Sequence, residues 1–270
     1  MTTPRIGLTL GGGGARGLSH IAFLKALDEM NLKPSVISGT SIGAIIGSFY
    51  AAGISATDME AMLASIHFKE ITRFFDLSLL KGTAMFKGDA IEDFLIEHIP
   101  ARHFDQLKIP IKIIATDFWK RKEVVLDSGD LIWAVRASMS IPLVFEPVTI
   151  GDMVLVDGGL VNPLPYDHIR KECDLLVAID VTGQRVPTHD DPVPNMWESV
   201  ASSFLIMQSA IIDNMRKISK PDIYIKPPIK NVQLLNFDKY KEIMRGVRYD
   251  VDQFKIDLEK ELNKKKFLWF

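Results

Sequence analysis

The chain has 270 residues, 47% of them apolar and 24% charged, with a formal net charge of −2. That is enough for one large α/β core, and it lacks the basic block that nucleic-acid binding needs. The single cysteine, Cys173, excludes an internal disulfide. No apolar leader and no apolar run of membrane-spanning length is present, so a soluble cytoplasmic protein is the expectation.

Arg5 to Leu10 reads as a buried first strand. Gly11-Gly12-Gly13-Gly14-Ala15-Arg16-Gly17 follows directly, and Leu18 to Met30 has the periodicity of an amphipathic helix. A glycine loop between a strand and a helix N-terminus presents free backbone N–H groups and so suits an anion. Gly12-x-Gly14-x-x-Gly17 fits the dinucleotide fingerprint, which expects an acidic residue at the end of the next strand. That strand, Ser35 to Ser38, ends instead in Gly39-Thr40-Ser41-Ile42-Gly43, with an apolar helical run from Ala44 to Ala52 behind it. The Gly-Lys-Ser/Thr of a P-loop is missing as well. Strand, G-x-S-x-G turn and helix form the context of a nucleophile elbow, with a serine at the turn tip and the helix dipole behind it. The anion at the glycine loop is then the oxyanion of a tetrahedral intermediate formed on Ser41.

Ser55 to Phe86 reads as helical and rich in Met and Phe, open to two readings: core helix, or a cap lining an acyl-chain groove. Asp89 is placed to cap a helix from Ala90 to Ile99. Strands are expected over Ile109 to Thr116 and Lys122 to Leu126, then a helix capped by Asp130 and ending at Ala137. A strand pair, Val148 to Ile150 and Met153 to Val156, turns at Gly151-Asp152 and runs into Asp157-Gly158-Gly159. Leu175 to Val181 is a further buried strand, Gln184 to Pro194 a polar loop, Trp197 to Lys217 a long helix, Ile223 to Ile225 a short strand, and Lys239 to Lys266 mostly helix. Strands alternating with helices, without repeats or linkers, indicate one three-layer α/β/α domain over residues 1–270 with a mostly parallel central sheet.

A serine nucleophile needs a proton acceptor. Of six histidines, His20, His67, His98, His103 and His168 fall in or beside helices and His189 in an acidic polar loop. Three aspartates stand at strand ends, Asp117, Asp157 and Asp180, where α/β sheets build their sites. Asp157 ranks first because Gly158 and Gly159 permit close backbone approach, but turn chemistry remains an alternative for each.

Gly12-Gly13-Gly14-Ala15-Arg16-Gly17, Gly39-Thr40-Ser41-Ile42-Gly43 and Asp157-Gly158-Gly159 together resemble the motifs of the patatin-like phospholipase family. The chain is similar to its compact bacterial members and to the catalytic domain of neuropathy target esterase. Ala137-Ser138 to Pro142 and Phe145-x-Pro147 also resemble a family block, and the resemblance runs from about Arg5 to Val181. It implies a patatin-like fold, Ser41 as nucleophile, Asp157 as base, and an oxyanion hole from Gly12, Gly13 and Gly14 with Arg16 close by. It implies hydrolysis of lipid acyl esters with no metal and no cofactor. Relatives that carry an acidic residue before the glycine run differ from this chain, which has Gly11. Two other functions remain open: acyl transfer from the same acyl-enzyme, and a non-catalytic lipid- or dinucleotide-binding module. The expected partners are a lipid or acyl-ester substrate and a membrane surface met peripherally by Lys264-Lys-Lys-Phe-Leu-Trp-Phe270, against which docking of that tail on the body or a partner subunit is the rival. Nothing in the sequence fixes the oligomeric state.

Overall fold

The structure is a computed structural model and describes residues 4–65, 88–187 and 193–267. Its centre is a sheet in the path order β5-β6-β3-β2-β1-β7-β8, with β4 also paired to β3. The strands are β1 (Ile6–Leu10), β2 (Val36–Thr40), β3 (Ile111–Asp117), β4 (Lys122–Leu126), β5 (Val148–Ile150), β6 (Met153–Asp157), β7 (Leu175–Ile179) and β8 (Ile223–Ile225). β1, β2, β3, β7 and β8 run parallel, whereas β4 and β6 pair antiparallel with β3. β1, β2 and β7 are buried along their whole length, as continuous apolar strands covered on both faces must be.

The helices are α1 (His20–Glu29), α2 (Ile42–Ala51), α3 (Ala56–Ser65), α4 (Asp89–His98), α5 (Leu131–Ser138), α6 (Met196–Ile218), α7 (Tyr240–Gly246) and α8 (Arg248–Phe267). Ile6, Leu8, Leu10, Ile37, Val177 and Ile179 face a core shared with α1, α2, α5 and the Phe254, Leu258 and Leu262 side of α8. Val36, Leu176 and Ala178 project the opposite way and meet Ile212 of α6. The period-2 alternation of each strand thus serves two helical layers, the three-layer arrangement read from the sequence. Among the described residues, no helix is long and apolar enough to cross a membrane.

Some boundaries move for local reasons. The first helix begins as a 3-10 turn over Gly14–Ser19, because the glycine run is still turning there. Asp89 is the first residue of α4 rather than its cap; Gly88 caps it in a left-handed conformation with φ 81°. Asp130 caps α5 as expected, accepting from the Trp133 N–H at 2.8 Å. Of the Met/Phe-rich stretch, residues 66–87 lie outside the described residues, as do His67, His189 and residues 268–270.

Candidate active site

The register of β3 assembles the site. β2 pairs with β3 through Thr40 opposite Ile114, and β6 pairs with it through Asp157 opposite Ala115. β4 occupies the other edge of β3 across Ile113 to Asp117. A strand edge accepts one partner at a time, so β2 and β6 share a single edge and meet head to head. Ser41 follows Thr40, and Asp157 ends β6. Two residues 116 positions apart in sequence are therefore brought together by adjacent positions on one strand.

Ser41 stands at the N-terminus of α2 with φ 56° and ψ −123°, a strained backbone for a residue with a Cβ. The turn is held from several sides. The Ser41 N–H donates to Ser138 Oγ at 2.9 Å, and Thr40 Oγ1 donates to the Asn162 carbonyl at 2.8 Å. A Cβ at Gly43 would strike the Leu10 carbonyl oxygen, and one at Gly39 would come 2.7 Å from the Gly43 oxygen. The glycines of G-x-S-x-G are there so that the elbow can press onto the end of β1. Gly17 makes room for Ile42 in the same way.

Asp157 is fully buried. Its N–H donates to the Ser140 carbonyl at 2.9 Å, and its own carbonyl accepts from Thr116 Oγ1 at 2.9 Å. Oδ1 accepts from the Gly159 N–H at 2.7 Å. Oδ2 is buried with no hydrogen bond of ordinary geometry among the described residues. Burial pushes the carboxyl up to about 7, against the Ser41 hydroxyl and the Gly159 N–H, which act the other way. Gly158 lets the chain cross against the Ile114 carbonyl, where a Cβ would collide.

The glycine loop lies alongside. A carbon on Gly12 would sit 3.5 Å from Ser41 Cβ. The Gly12 N–H, however, donates to the Pro163 carbonyl at 2.9 Å, and the Ala15 N–H to the Leu234 carbonyl at 2.8 Å. Between them, the Gly13 and Gly14 N–H groups have no such partner among the described residues, and Gly14 holds φ 59°. Arg16 does not line the cavity beside Ser41. It is buried, its Nε donates to the Val181 carbonyl (3.1 Å) and its Nη1 to the Val232 carbonyl (2.7 Å), and desolvation lowers its pKa to about 10. It braces the backbone around the loop.

Among the described residues, His20 and His168 are engaged elsewhere. His20 is fully buried and its Nε2 donates to the Gly11 carbonyl at 2.9 Å; burial drives its pKa down to about 4. His168 pairs with Glu123 at 2.7 Å, which raises its pKa. Asp180 binds Thr182, Tyr224 and Lys226, and Asp117 caps the β3–β4 turn. Sequence reasoning missed Gln208 of α6. Its amide is buried, Oε1 is unpartnered, and Nε2 lies 2.1 Å from the point a Gly159 Cβ would occupy, a point that is itself 2.9 Å from Asp157 Oδ1. No motif marks it, because it reaches the site from a helix 50 residues downstream. Ser138 and Ser140, which hold Ser41 and Asp157, fall in the Ala137 to Pro142 block.

Ser41 and Gly14 open into an apolar cavity of about 260 Å³ whose walls include Ile45, Phe49, Met59, Met62, Phe94 and Phe145. Met59, Met62 and Leu63 of the Met-rich stretch line this cavity and also pack with the hydrophobic core, so the cap and core readings both keep a footing there.

The patatin-like phospholipase family model matches residues 8–169. A protein of Mycobacterium tuberculosis (strain H37Rv) described as an uncharacterized NTE family protein is 32% identical over 213 residues, 78% of this chain and 59% of that one. Lysophospholipase NTE1 of Kluyveromyces lactis is 28% identical over 92% of this chain and 19% of its own, and patatin-like phospholipase domain-containing protein 7 of Rattus norvegicus is 30% identical over 90% and 20%. The chain therefore spans less than two thirds of the length of these relatives. Human GIVD cytosolic phospholipase A2, solved with a fluorophosphonate inhibitor, shares the fold with a TM-score of 0.52 and 12% identity, over 97% of this chain and 59% of that one. With the family model matching more than half of its residues, this chain belongs to the patatin-like phospholipase family.

Proposed function

We propose that the protein hydrolyses acyl esters of lipids, with Ser41 as nucleophile and Asp157 as its base. One observation carries this reading: a fully buried carboxylate with a free Oδ2 meets the strained serine head to head at the foot of an apolar cavity. Oδ2 takes the Ser41 proton while Oγ attacks the ester carbonyl, and the Gly13 and Gly14 N–H groups receive the oxyanion. One such preorganised donor is worth about 3–4 kcal/mol of barrier. Asp157 returns the proton to the departing alcohol. It then takes one from water as the water attacks the acyl-enzyme, and returns it to Ser41 Oγ as the fatty acid leaves. A base near neutral pH suits this exchange better than an ordinary carboxylate, because it accepts and returns a proton at similar cost.

The cavity, about 260 Å³, falls just below the range of about 300–1,000 Å³ usual for small-molecule sites. It suits one acyl chain rather than a whole diacyl lipid, and lysophospholipids are favoured on that ground. The name of the Kluyveromyces lactis relative agrees. Covalent labelling by a fluorophosphonate probe, together with fatty-acid release from lysophosphatidylcholine, tests the reading. Both should vanish in Ser41→Ala, and a Ser41→Ala protein that still released fatty acid at the native rate would refute it.

A further inference from the structure

The hairpin turn between β3 and β4 reads Phe118-Trp119-Lys120-Arg121-Lys122, two aromatics followed by three cations. Trp119 is 74% exposed and Phe118 47%, packed edge to face on each other at 5.0 Å rather than on the body. Leaving so much aromatic surface in water forgoes the burial that Trp and Phe otherwise supply. The turn is nonetheless built to hold its shape. Asp117 Oδ1 accepts the Lys120 N–H at 3.0 Å, Arg121 adopts φ 53°, and the Phe118 N–H donates to the Val154 carbonyl at 2.8 Å.

Its position follows from the strand registers. Asp157 lies opposite Ala115; β3 runs two residues further, to Asp117, and Phe118 and Trp119 follow it in the turn. At about 3.3 Å per residue the end of β3 stands ~7 Å beyond the candidate base, and the turn continues from there at the end of the sheet where Ser41 emerges. On the loop after α5, Leu143 is exposed with φ 70° between Ile141 and Phe145, which line the cavity.

We propose that the Phe118–Lys122 turn docks the protein on an anionic lipid surface. Amphipathic aromatics settle at the headgroup level, and juxtaposed Lys and Arg are drawn to anionic lipids. Insertion of apolar side chains to ~5–10 Å takes up most of the distance between tip and site. The lipid ester then lies within reach of Ser41 without the substrate leaving the interface. The purpose of the docking rests on the acyl-hydrolase reading, while the docking itself is measured apart from catalysis.

The test is co-sedimentation with vesicles of phosphatidylcholine, with and without phosphatidylglycerol, beside turnover of a water-soluble p-nitrophenyl ester. The native protein should bind the phosphatidylglycerol vesicles, less so at high salt. Phe118→Ser with Trp119→Ser, and separately Arg121→Glu with Lys122→Glu, should each reduce binding at least ~10-fold, the first by removing the inserting aromatics and the second by reversing the charge that anionic lipid attracts. Soluble-ester turnover should stay within about twofold of native, which also certifies folding. Native protein that ignores both vesicles, or variants that bind as native does, would overturn the proposal. So would binding lost on deletion of Phe267 to Phe270 alone, or Trp119-dependent self-association without vesicle binding, which assigns the surface to a protein partner. Failure of the native protein to turn over any ester would instead refute the hydrolase reading and leave the vesicle result standing by itself.

Discussion

Asp157→Asn separates the chemistry of this site from its cost to the fold. Burial raises the Asp157 carboxyl from 3.8 to about 7. A group whose folded pKa is raised favours the folded state below its unfolded pKa and loses that advantage as pH rises through the folded value. Relative to acid, the native protein therefore gives up stability between pH 4 and pH 7. At about 1.4 kcal/mol per unit the loss comes to ~4 kcal/mol by pH 8. Asn cannot ionise and escapes it. Its oxygen still accepts from the Gly159 N–H, and its amide nitrogen falls at the unpartnered Oδ2, facing the Ser41 hydroxyl. The variant should melt several degrees above native at pH 8 and near it at pH 4. Over the same range it should lose ~10²–10⁴-fold in ester turnover, the scale of general-base catalysis. Native kcat/KM should rise with pH through one group near 7, reaching about one-hundredth of its plateau at pH 5. Differential scanning calorimetry and a pH–rate series on one soluble ester are the assays. An Asn variant less stable than native at pH 8, or a native profile flat from pH 5.5 to 8, would refute the account of a buried, raised base.

The remaining expectations are simpler to state. Ser41→Gly should abolish fluorophosphonate labelling yet raise the melting temperature by relieving φ 56°; an unchanged or lower melting temperature counts against strain at the elbow. His20, held neutral with a pKa of about 4, should withdraw stability as pH falls from 6.5 toward 4, by ~3 kcal/mol. His20→Gln should flatten that limb in an acid melt and keep measurable turnover, so loss of all activity without unfolding would move the base to histidine. Met62→Trp should shift preference toward shorter acyl esters with little change in melting temperature, whereas a large drop in stability with unchanged preference would make Met62 plain core. Gln208→Leu should move the pH–rate limb by changing what surrounds the Asp157 carboxylate; an unmoved limb with lower stability would leave Gln208 a packing residue.

The sheet was legible because its strands carry local signals. β1 is a compact apolar run, β5 and β6 are separated by Gly151-Asp152, and Asp130 announces α5 in one residue. The elbow was legible too, since the glycine on each side of Ser41 is demanded by neighbours that the motif itself supplies, Gly43 for Gly39 and the end of β1 for Gly43. What the motifs did not carry was bonding detail. Three consecutive glycines look equivalent on paper, but Pro163 engages the Gly12 N–H, whereas the next two N–H groups have no such partner among the described residues. Arg16 reads as a charge beside an oxyanion, yet its Nε and Nη1 hold two backbone carbonyls from distant loops while Nη2 is buried without a partner among the described residues. Gln208 and Thr116 fall in no motif, and Ser138 and Ser140 lie in the Ala137 to Pro142 block without a stated role; what all four do for Ser41 and Asp157 depends on tertiary approach, which periodicity does not encode.

The pairing of Ser41 with Asp157 sits between these cases, and the strand that makes it contains neither residue. β3 must run parallel to β2 as far as Ile114 and then continue beside β6 from Ala115. A one-residue slip of β6 would turn the Asp157 side chain to the opposite face of the sheet, away from Ser41. The Thr116 hydroxyl on the Asp157 carbonyl and the Ser140 carbonyl on the Asp157 N–H both resist that slip. Gly158 resists it as well, because only a residue without a Cβ can pass the Ile114 carbonyl at this register. The glycine after the aspartate therefore locks the strand whose end carries the proposed base. Gly158→Ala should accordingly reduce turnover even if the protein still folds, with the Ser41 elbow intact and the carboxylate displaced. Fluorophosphonate labelling of that variant should slow in proportion to ester turnover, since both reactions need the Ser41 proton removed. Labelling at the native rate with turnover lost would show that Gly158 serves a later step, and that the register of β6 is not what delivers the base.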